Sequence, residues 1–207
     1  MKVIVVSAHP DDMEIGCSGT LKRLQDQGAD VISIVTVQPS AEDNANRSKD
    51  IVQKELTASY NISKFELRVF DTPLHPNGRP NLQADNITMT QLAALFEPCD
   101  IVILPNPEDY HQDHRTTYEL AFPLALKHAK EIWTMHSWPY CYYYKTNSAN
   151  LFYTINSDWD FKQSLLKCYN SYLGSDNISQ IKTTNNYWGN QCDAHIAEAF
   201  TIVQKNV

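Results

Sequence analysis

Two hydrophobic periodicities alternate along the first two thirds of the chain. Residues 2–7 and 31–37 ("VISIVTV") are near-continuous apolar runs rich in Val and Ile, as expected of strands buried on both faces. Between them, "IGCSGTLKRLQDQG" spaces Ile15, Leu21 and Leu24 along one helical face and ends on Gly28, suited to a helix C-terminus. "RSKDIVQKELTASYNI" predicts a second helix and "FELRVFD" a third strand. Residues 87–97 predict a helix, "DIVILP" (100–105) a fourth strand, 114–129 another helix and 131–136 another strand. Strands alternating with helices predict an α/β fold: a Rossmann-like, doubly wound, mostly parallel sheet in strand order 3-2-1-4-5, with helices on both faces. From 137 onward the pattern turns aromatic and Asn-rich. It predicts edge strands at "CYYYK" and "NLFYTI", a helix near 158–171 and a last strand at 198–204. With no repeat or linker in view, a single domain over 1–207 is expected.

Composition narrows the class. At 207 residues, 43% apolar and 20% charged, the chain can bury a core. A net charge of −7 without a Lys/Arg cluster argues against a nucleic-acid partner. No apolar run approaches the roughly 18 residues that span a bilayer, and no signal peptide is recognisable, so a soluble cytoplasmic protein without a membrane partner is expected. The five cysteines, Cys17, Cys99, Cys141, Cys168 and Cys192, are scattered without a CxxC pair and read as free thiols.

The first strand runs into "SAHPDDMEIG" and the fourth into "PNPEDYHQDHRT". The first turn lacks the GxGxxG of a dinucleotide site, and Asp11 and Asp12 would repel a phosphate, so Gly16 and Gly19 are a weak signal. In the expected strand order, strands one and four are neighbours and their C-terminal loops flank the switch-point crevice. The two His/Asp clusters are therefore expected to meet. His, Asp and His with an open position suit a catalytic divalent metal, such as zinc, which lowers the pKa of water to about 7. The spare aspartate of the first cluster can then accept a proton.

The pair "AHPDD" and "HQDH" in an alternating α/β chain resembles the PIG-L/LmbE-like zinc-dependent N-deacetylase family, and "RSKDI" and "WGNQCDAHIAEAF" extend the likeness. The resemblance implies removal of an acetyl group from an N-acetylated sugar or sugar conjugate, with release of acetate and a free amine. It implies His9, Asp12 and His114 as ligands of Zn2+ (Fe2+ being another candidate), and Asp11 as general base. It further implies His111 as oxyanion stabiliser, Asp113 as the residue orienting a histidine, and Arg47 as a substrate contact. A protonated His111 working with an ionised Asp11 would give a bell-shaped pH profile. Two departures stand out: Met13 replaces a common acid, and "KCYNSY" (167–172) lacks a usual His and Gln. The alternatives are an amidase for a bulkier amide and a non-catalytic metal- or sugar-binding domain. The loop residue His75 is a candidate pocket contact. The stretch 133–144 suits a sugar face, a strand core or a homo-oligomer interface.

Overall fold

The computed structural model describes residues 1–38, 48–143 and 149–205. Strands β1 (Lys2–Ser7), β2 (Asp30–Val35), β3 (Glu66–Val69), β4 (Cys99–Leu104) and β5 (Ala129–Met135) run parallel. The strand β7 (Ala197–Lys205) adds antiparallel to β5, and β6 (Leu151–Thr154) antiparallel to β7. The sheet order is β3-β2-β1-β4-β5-β7-β6, so the expected core order holds and two antiparallel strands extend one edge.

The central strand shows why its sequence is continuously apolar. Val3 and Val5 point to one face, where they meet Leu21 and Leu24 of α2 (Ser18–Asp26) and Leu56 and Tyr60 of α3 (Lys49–Ser63). Ile4 and Val6 point to the other, against Leu92 of α4 (Asn86–Ala93) and Leu120 and Leu124 of α5 (Gln112–His128). All four β1 side chains are fully buried, as strands covered on both faces require.

Three elements depart from expectation. The helix after β1 is two helices, α1 (Asp12–Gly16) and α2, separated by Cys17 at φ −150°. Residues 141–143 of the expected strand "CYYYK" fall in a 3-10 turn, Tyr140–Tyr143, and residues 144 and 145 lie outside the described residues. After α6 (Trp159–Leu166) comes α7 (Ser175–Asn190), which the sequence reading did not anticipate. Its Asn and Thr content gives little intrinsic helix preference. The helix is held by packing: Ile178 and Ile181 join Tyr169 and Leu173, and Trp188 meets Ala197 and Ala199 of β7.

Candidate active and metal site

Because β1 and β4 pair directly, the turns at their C-terminal ends open on one crevice. In the first turn His9 donates its backbone N–H to Asp12 Oδ2 (2.7 Å), which fixes that carboxylate at the head of α1. Asp11 is the residue before the helix and is buried on the same crevice. In the second turn His111 precedes α5, and its Nδ1 accepts the Asp113 backbone N–H at 3.2 Å.

The hydrogen bonds assign the imidazole tautomers. Asp113 Oδ2 lies 3.1 Å from His9 Nε2, and Asp109 Oδ2 lies 2.9 Å from His114 Nδ1. In the neutral rings each carboxylate takes the N–H, which leaves His9 Nδ1 and His114 Nε2 as lone pairs. These two atoms stand 3.3 Å apart. Asp12 adds Oδ1 at 3.3 Å from His114 Nε2 and Oδ2 at 3.6 Å from His9 Nδ1. Electron-pair donors converging in this way repel one another unless a cation or protons lie between them. A tetrahedral zinc with ligands at about 2.0–2.1 Å separates them by about 3.3–3.4 Å, so the donor set fits the ion. His111 also brings a ring nitrogen within 4.8 Å of His9 and His114 nitrogens.

Without a cation, protons take its place. Burial pushes His9 down, but Asp113 and Asp12 outweigh it and hold its pKa up at about 9. Burial likewise opposes the charged form of His114, yet Asp12 and Asp109 lift it to about 10. Burial raises the Asp12 carboxyl, but His114 and His9 hold it well below the usual carboxylate range. His111 moves the other way: burial, then His9 and His114, lower its pKa from 6.5. With Nδ1 already accepting, the neutral form of His111 carries its proton on Nε2.

A cavity of about 220 Å³ covers this cluster. His9, Asp11, Asp12, His111 and His114 line it together with Ile15, Trp138, Pro139, Tyr140 and Tyr172. Tyr140 meets the rings of His111 and His114 edge-on, at 5.9 and 5.6 Å between centroids. Part of the aromatic stretch 133–144 thus reaches the cavity, whereas Trp133 packs in the core.

The structure brings His9, Asp11, Asp12, His111, Asp113 and His114 together, while Arg47 lies outside the described residues. His75 is exposed and does not line the cavity. Asp109, only 1% exposed, was missed; the one sequence signal for it is a carboxylate five residues before His114. Gly16 and Gly19 serve close packing: a Cβ on Gly19 would stand 2.8 Å from Ile155 Cγ2, and one on Gly16 would strike Met135. Behind the site, fully buried Glu14 accepts from Ser59 Oγ (2.5 Å) and the Tyr169 hydroxyl (2.7 Å). Burial pushes its pKa up to about 7 despite those bonds. Tyr169 and Tyr172 belong to the divergent "KCYNSY" segment, the first supporting α1 from behind and the second lining the cavity.

The family model described as PIG-L, GlcNAc-PI de-N-acetylase, matches residues 4–125. An uncharacterized deacetylase of Escherichia coli, YaiS, is 27% identical over 119 residues, which cover 56% of this chain and 64% of that protein. The N,N'-diacetylchitobiose deacetylase of Pyrococcus horikoshii superposes with a TM-score of 0.80 at 20% identity, over 98% of this chain and 83% of that one. The 4-carboxy-2-hydroxymuconate hydratase GalB of Pseudomonas putida superposes with a TM-score of 0.77 at 18% identity, over 100% and 97%. At these identities the two superpositions establish the fold.

Proposed function

The chain belongs to the PIG-L (GlcNAc-PI de-N-acetylase) family, and from that premise we propose that it is a zinc-dependent N-deacetylase acting on an N-acetylated sugar or sugar conjugate. The observation that carries this reading is the convergence of His9 Nδ1, His114 Nε2 and the Asp12 carboxylate at 3.3–3.6 Å, with Asp11 beside them in one cavity. His9, Asp12 and His114 hold the metal, whose contribution when bound is Lewis acidity toward water and the acetyl carbonyl.

The remaining chemistry belongs to the chain. Asp11 accepts a proton from the attacking water and returns it to the departing amine. His111 donates from Nε2–H to the carbonyl oxygen as negative charge develops there, and needs no proton of its own from solvent. Asp113 and Asp109 hold the two ligand rings in their metal-binding tautomers. The cavity, smaller than the ~300 Å³ lower bound of drug-sized sites, suits one ring-sized group, and the lining residues Trp138, Tyr140 and Tyr172 offer an apolar sugar face a surface to lie on. The hydratase on the same fold shows that the sheet does not choose the reaction, so the reading stands on the site.

Asp11→Asn separates catalysis from binding. The variant is expected to keep its zinc and lose most acetate release, by about a hundredfold or more. Acetate release at the wild-type rate by zinc-loaded Asp11→Asn would overturn the role of Asp11. Zinc uptake without turnover in the wild type would favour a binding domain.

A further inference from the structure

We propose that Lys162 and Glu198 are positioning residues for the site, a buried ion pair that fixes where α1, and with it Asp11 and Asp12, stands against the sheet. The inference rests on the proposed roles of those two aspartates. Both side chains of the pair are fully buried, Lys162 on α6 and Glu198 on β7, and Nζ lies 2.6 Å from Oε1.

Each charge also ties down one of the two short helices. Lys162 Nζ donates to the Ile15 carbonyl at 2.7 Å, near the C-terminal end of α1. Glu198 accepts the backbone N–H of Gly19 at 3.1 Å on Oε1 and that of Thr20 at 2.7 Å on Oε2. These are first-turn donors of α2, whose preceding residue Cys17 supplies no side-chain cap. The pair thus seals both sides of the break at Cys17. A five-residue helix has no stability of its own, so its placement comes from such contacts. Buried ion pairs are a weak source of stability, and apolar replacements commonly match them. Geometry at the break is what this pair supplies. Ile15, whose carbonyl it holds, also lines the cavity, three residues from Asp12.

The test compares Lys162→Met and Glu198→Gln with wild type by zinc affinity from chelator competition, kcat, KM and Tm. Each variant is expected to lose about tenfold or more in zinc affinity and in kcat, with KM unchanged, as loss of supporting contacts around a metal site does. Amide exchange of the wild type carries the test even where a variant does not fold. Zinc at Asp12 is expected to slow exchange at Gly19 and Thr20, because coupling between two sites is reciprocal. Folded variants with lowered Tm but wild-type zinc affinity and kcat would reduce the pair to a structural role, as would Gly19 and Thr20 amides indifferent to zinc. A wild type that takes up no zinc and releases no acetate would instead refute the proposed function.

Discussion

Asp109→Asn is the sharpest probe of the second motif, because the geometry around this residue leaves the variant no good arrangement. The Asp109 carboxylate serves two donors at once: Oδ1 accepts the His111 backbone N–H at 2.8 Å, and Oδ2 faces His114 Nδ1 at 2.9 Å. An amide of the same shape has only one oxygen. If that oxygen keeps the His111 N–H, the NH2 group faces His114 Nδ1 and favours the tautomer with the proton on Nε2, the atom aimed at Asp12 and His9. If the amide flips, the half-buried His111 N–H is left facing another donor. Either way a hydrogen bond to a charged acceptor is lost, worth about 1.5–3 kcal/mol. Expressed in zinc affinity this is about 10–100-fold, the range seen when the partner of a metal-bound histidine is removed. Chelator competition at pH 7.5 measures it directly, with circular dichroism to show that the variant is folded. Zinc affinity within threefold of wild type would refute the assignment of Asp109 as the residue that sets the His114 tautomer.

Two further outcomes follow from the same structure. His9 and His114, raised to about 9 and about 10 by their carboxylates, contribute stability to the metal-free protein that is fully present below the unfolded value of about 6.5 and lost as pH rises toward those values. Zinc must displace these protons, so metal-free Tm is expected to fall from pH 6.5 to 9 while apparent zinc affinity rises, with at least one proton released per zinc. A zinc affinity flat across that range would contradict the raised values. Gly19→Ala places a methyl 2.8 Å from Ile155, which is fully buried and β-branched. Overpacking by about 1–3 kcal/mol exceeds the gain in helix preference of about 1 kcal/mol, so urea unfolding should show a net loss; unchanged stability would show that Ile155 yields freely.

The strands and their order were legible because residues such as Val3 to Val6 must be apolar on both faces, a pattern that little else produces. The convergence of the two motifs was legible for the same reason, since strand order alone places the loops after β1 and β4 side by side. Asp109 was not legible because its role depends on how the turn before α5 folds back, and no periodicity records that. The helix α7 was hidden by polar residues whose preference is overridden by Ile178, Ile181 and Trp188 packing into neighbouring elements. The Lys162–Glu198 pair joins residues 36 positions apart on elements that meet only in the folded chain. Among the described residues, no helix is long and apolar enough to cross a membrane.

The most direct measurement of the central claim is acetate release from a panel of N-acetylated sugars by metal-stripped protein titrated with zinc. Release is expected to be absent without metal and to rise with zinc until about one ion per chain is bound, as three protein ligands and an open position require. Acetate release that persists in the stripped protein, or that never appears once zinc is bound stoichiometrically, would contradict a zinc-dependent deacetylase built on His9, Asp12 and His114.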